Sequence, residues 1–143
     1  MDHKLQVSVI AIAFTLMASV AWSQARKTNL IDHSSNALIE ATVAKTVMSD
    51  NISDRVLKLY PPKKYVFVSQ VEGGLTAAGA CVVTARVMLL PLTAAMKAVL
   101  LRPQKMATAF DSIPGASMDQ CKTLARDKLK EATVSVVSAL VNS

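Results

Sequence analysis

Apolar side chains alternate with polar ones through the middle of this chain and recur at three- and four-residue intervals on either side of it. The alternation is clearest in the run that opens at Cys81. There Cys81, Val83, Ala85, Val87 and Leu89 share one face of an extended strand, and that face is wholly apolar. Val82, Thr84, Arg86 and Met88 share the other, which reads as half exposed. An earlier strand starts at Tyr65. It sets Val66, Val68 and Gln70 against Tyr65, Phe67, Ser69 and Val71, and a turn is expected at Glu72-Gly73-Gly74. The stretch from Glu72 to Gly79 exceeds a two-residue hairpin turn, so it predicts a flexible loop. Pro91 closes the second strand. A third is predicted over Met96 to Leu101, with Pro103 placing an edge or bulge after it, and Lys105 to Phe110 continues it or forms a fourth. Short links between these runs leave no room for crossover helices, which makes the sheet antiparallel.

The flanks follow the helical period. Leu30, Ile31, Ala37, Leu38, Ala41, Ala44 and Met48 form one stripe within Thr28 to Tyr60, with Asp32 or Ser34 as a candidate cap. Ser49-Asp50-Asn51 reads as a break. Ile52, Val56, Leu59 and Tyr60 form a second, shorter stripe that ends at Pro61-Pro62. Beyond the turn at Pro114-Gly115, Ser117 and Gln120 have the spacing of a capping box. Met118, Cys121, Leu124, Ala125, Leu129, Ala132, Val136 and Leu140 then line one side of a long helix. The predicted fold is α+β: N-terminal helical segments, a three- to four-stranded antiparallel sheet, and a long C-terminal amphipathic helix packed on the sheet. Three helical stripes suffice to cover both sheet faces, and a closed monomer is the favoured reading. The alternative leaves open a face bearing Val82, Met88 and Leu90, joined by Tyr65 or Phe67. Val82, Arg86 and Met88 are then the candidate residues for binding a partner protein or a second copy of the chain, with Arg86 as a polar anchor.

The N-terminus changes the picture of compartment. Residues 1–25 have the parts of a secretory signal: Lys4, an apolar run from Leu5 to Val20, and small residues at signal-peptidase spacing near Ala21 and Ala25. No cysteine follows the run, which argues against lipoprotein processing. The rival reading is an uncleaved anchor through residues 5–22, a little short of the roughly 20 residues that span a bilayer. Trp22 and Arg26-Lys27 would then mark its interfacial end. Residues 26–143 form a single small domain of an exported protein, periplasmic or extracellular, membrane-anchored only if the leader stays.

Export bears on the two cysteines. An even count in an oxidising compartment predicts a bond, and Cys81 and Cys121 lie on apolar faces that meet in the core. Neither Cys-x-x-Cys redox spacing nor further metal ligands accompany them. The net charge of +6 suits an anionic envelope surface or an acidic partner. Sparse aromatics and the lack of a longer Lys/Arg run argue against nucleic acid.

Candidate chemistry is thin. His33 is the only histidine after the leader, and adjacent Asp32 would not face it on a helix. The Glu72-Gly73-Gly74 stretch lacks the Gly-Lys-Ser/Thr ending of a phosphate loop. Glu40, Glu72 and Glu131 show no paired spacing. The sequence therefore predicts no catalytic, cofactor or metal residue. It suits a non-enzymatic binding or accessory subunit of a cell-envelope assembly. The alternatives are a small secreted enzyme with a dispersed site and a single-span anchored accessory subunit.

Overall fold

A computed structural model describes residues 28–99 and 101–142. The leader or anchor, with its cleavage positions, lies outside the described residues. The chain runs β1 (Leu30–Asp32), α1 (Ala41–Asn51), α2 (Asp54–Leu59), β2 (Tyr65–Leu75), β3 (Cys81–Pro91), β4 (Lys105–Ile113) and α3 (Met118–Val141). The strands form one sheet in the order β1-β2-β3-β4. Both β2–β3 and β3–β4 are antiparallel, as expected; the short β2–β3 turn requires it, and the longer link after Pro91 folds back on the sheet. β1 runs parallel to β2, so the sheet is mixed. Here α1 and α2 supply the long connection that a parallel pair needs.

The inner face holds the core. Cys81, Val83, Ala85, Val87 and Leu89 are fully buried and cluster with Phe67, Val71 and Ala109 from the neighbouring strands. Against them lie Ala44, Met48, Ile52 and Val56 from the N-terminal helices, and Cys121, Leu129, Val136 and Leu140 from α3. Each large aliphatic side chain so buried contributes about 1.5–3 kcal/mol. α3 spans about 36 Å at 1.5 Å per residue, close to the length of the strands it crosses. Its capping box forms as expected: Ser117 Oγ accepts from the Gln120 amide at 3.2 Å, and Gln120 Oε1 accepts from the Ser117 amide at 2.8 Å. Met118 is exposed rather than part of the stripe, and Thr133 is buried instead. The Thr133 hydroxyl is satisfied by donating to the Leu129 carbonyl. The Cys81–Cys121 disulfide joins the start of β3 to the first turn of α3, with 5.5 Å between the Cα atoms.

Four local expectations are corrected. Leu30 and Ile31 belong to a strand rather than a helix, and Asp32 and Ser34 cap nothing. Asp32 Oδ1 instead accepts from Ser69 Oγ at 2.5 Å and Ser34 Oγ at 2.6 Å, while Ser34 Oγ accepts from the Val71 amide. These bonds tie β1 to β2 across a buried Ser69. The break between the first helices falls after Asn51, where Ile52 plugs the core and Ser53 caps α2. β2 continues through Glu72, Gly73 and Gly74 to Leu75, so the turn lies at residues 76–80, closed by the Thr76 amide bonding to the Ala80 carbonyl. The described residues of the Met96–Leu101 run form no strand. The run belongs to a folded-back connection with a single bridge between Leu92 and Ala98, and Met96 sits at φ 59°. The third antiparallel strand is β4, which begins at Lys105.

The β1 tie gives a direct prediction. Asp32→Ala leaves the buried Ser69 hydroxyl without its acceptor and should cost about 1–3 kcal/mol in urea unfolding. Adding Ser69→Ala should recover part of that loss. Equal stability of D32A and the parent would remove the tie from the account.

Candidate partner-binding face

All three described helices pack on the inner face, because their buried residues join one cluster with the inward side chains of the sheet. Among the described residues, the closed monomer with both faces under helices is therefore not formed. Directly opposed residues of an antiparallel pair point to the same side, so register assigns the outer face. β3 contributes Val82, Thr84, Arg86 and Met88, opposed on β4 by Ser112, Phe110, Thr108 and Met106. On β2 the opposed residues are Gly74, Glu72, Gln70 and Val68.

One end of this face is covered. Val66, Val68 and Leu90 form a small buried cluster packed by Met88, Leu92 and Ala98. The connection after Pro91 is held over them by the Leu92 amide bonding to Lys64 and the Val99 amide bonding to Pro91. Val66 and Val68 thus join Leu90. Tyr65 and Phe67, expected on this face, belong to the core on the helical side. No other described element covers the rest of the outer face. Val82 and Met88 are half-buried, and Arg86 is exposed between them. Beside them Met106 is 55% exposed and Phe110 62% exposed. These β4 residues escaped the sequence reading because their strand could not be separated from the run before it. Only the register shows that Phe110 and Met106 share a face with Arg86.

The polar groups there are unevenly engaged. Glu72 Oε1 accepts from Gln70 Nε2 at 2.6 Å. No hydrogen bond or ion pair within the described residues occupies the Arg86 guanidinium. Two carboxylates are committed on the helical side. Lys128 Nζ lies 3.2 Å from Asp111 Oδ2 and 2.7 Å from Glu131 Oε2, joining α3 to β4. The Ser112 amide, and then Lys128, hold the Asp111 carboxyl below its ordinary range. The bond to Glu131, and then that to Asp111, raise the Lys128 ammonium. His33 is exposed at the sheet edge, and the Asp32 carboxylate beside it is taken up by two serines. No group of three His, Cys, Asp or Glu side chains among the described residues could hold a metal. No described helix is long and apolar enough to cross a membrane.

Neither a protein-family profile nor a curated protein matches the chain. Among solved structures it is similar to a candidate lipoprotein from Caulobacter crescentus. The two are 11% identical, the match covers 79% of this chain and 85% of the other, and the TM-score is 0.36. A likeness that distant carries no argument about activity or location.

Proposed function

We propose that the chain is a non-enzymatic exported domain acting as a binding or accessory subunit of a cell-envelope assembly, with a partner protein held on its outer sheet face by Val82, Arg86 and Met88. The observation that carries this reading is the one-sided packing of the helices, which leaves Arg86, Met106 and Phe110 exposed together. Arginine and aromatic side chains are enriched at protein interfaces, and a contiguous exposed apolar patch marks such sites. Export is supported by the leader-like N-terminus and by the closed disulfide, a bond that persists in oxidising compartments.

Charge favours a different protein over a second copy. Two copies at +6 repel, whereas a partner presenting a carboxylate to Arg86 is attracted and oriented. Arg86→Glu reverses that contact at an exposed position. It should abolish recovery of the partner on native purification and leave the melting midpoint within about 2 °C of the parent. Light scattering on the isolated protein should give a monomer. Undiminished recovery of the partner, or a dimer broken by R86E, would contradict the reading.

A further inference from the structure

We infer that the end of the sheet at which the chain enters the domain is a docking surface for an anionic phospholipid bilayer. This surface adjoins the outer-face contact near Met88 but rests on other residues and does not depend on it. β1 and β2 are parallel and start at the same end, so Thr28 and Asn29 lie beside Pro62 and Lys63 and line one shallow cleft with Met96. The connection between β3 and β4 is anchored here, since the Leu92 amide bonds to Lys64 and Gln104 bonds back to Leu89. Leu92 and Ala98 pack against the sheet, but two other apolar side chains of the connection face outward: Met96 is 56% exposed and Leu101 is 93% exposed. Cations flank them. Lys63, Lys64, Lys97 and Arg102 are all exposed. Between Pro61 and Lys105 the sole carboxylate is Glu72, which sits toward the opposite end of the hairpin, across from Thr84.

Exposed apolar tips ringed by Lys and Arg suit the boundary of an anionic bilayer. The apolar groups enter the interface, and the ammonium and guanidinium groups meet lipid phosphates. An acidic protein would match the charge as well. Chain connectivity favours the bilayer, because the apolar run Leu5 to Trp22 is joined to the domain at this same end. A leader retained as an anchor would hold Met96 and Leu101 beside the lipid. A cleaved leader would leave the cationic end to bind reversibly.

The test is hydrogen exchange on the full chain with vesicles of phosphatidylglycerol and phosphatidylcholine, and with vesicles of phosphatidylcholine alone. Amides in 93–99 and 101–104 should exchange several-fold more slowly with the anionic vesicles, and at their unbound rate with the neutral ones. Lys97→Glu with Arg102→Glu should weaken the protected state by about fivefold per cation. Raising the salt should act in the same direction. Met96→Ser with Leu101→Ser, both at exposed positions, should also remove the protection without lowering the melting midpoint. Exchange unaffected by anionic lipid would overturn the inference. So would equal slowing with both lipid compositions, or protection confined to β4.

Discussion

Reducing the disulfide should lower the unfolding free energy by about 4 kcal/mol, the loop-closure value for bonded positions 40 apart in sequence. The loop it closes contains all of β4 and both turns around it, so the unfolded chain gains much freedom when the bond opens. Native packing changes little in the same step. Cys81 and Cys121 are fully buried between the inner face of β3 and the first turn of α3, and those elements are also joined through Leu129, Val136 and their neighbours. The folded state should therefore persist after reduction, but with a lower urea midpoint and, because the unfolded chain expands, a somewhat steeper slope. Cys81→Ala with Cys121→Ala should lose at least as much, since it also removes two buried sulfur atoms. A loss below about 1 kcal/mol would mean that the unfolded chain already holds β3 and α3 together.

Gly73→Ala should be among the most damaging single substitutions in the sheet. Gly73 has φ 123°, a conformation that side chains disfavour. A Cβ placed there would lie 2.0 Å from the Val82 carbonyl oxygen, a backbone atom of the paired strand. The β2–β3 ladder must shift to admit it. The expected loss exceeds about 3 kcal/mol, made up of dihedral strain plus displacement of β3. Gly74 is the internal control. Its φ of 143° is also unfavourable, but its Cβ would meet open space. Gly74→Ala should therefore show the dihedral cost alone, and its melting midpoint should lie several degrees above that of Gly73→Ala. Equal midpoints would assign the whole effect to the dihedral and remove the steric contact from the account.

The same glycines show why parts of the fold were legible in the sequence and others were not. Gly73-Gly74 resembles a turn locally, but β3 runs past it and pairs with both residues, so the strand continues. Strict alternation in β3 was readable because one side of it is wholly core, and the faces of Cys81 and Cys121 followed from that period. The start of α3 was readable because its cap is local, between Ser117 and Gln120. β1 was not. Leu30-Ile31 fits a helical stripe as well as a strand, and the deciding contact joins Asp32 to a serine 37 positions away. The Met96–Leu101 run misled for a related reason. Ala98 within it and Leu92 before it cover Val66, Val68 and Leu90, a tertiary role that a period of two does not reveal. On the candidate face, Val82, Arg86 and Met88 were placed together by their own alternation. Met106 and Phe110 joined them only through the β3–β4 register.

The central claim is that the outer face carries the partner, and covalent capture in intact cells tests it most directly. A photo-crosslinking residue at Thr108, exposed and opposite Arg86, reports on that face. The same residue at Lys130, exposed on α3, reports on the helical side. The account predicts one discrete adduct from position 108 to an acidic protein, lost when Arg86→Glu is added, and none from position 130. Adducts of equal yield from both positions, or an adduct at 108 that survives Arg86→Glu, would contradict it.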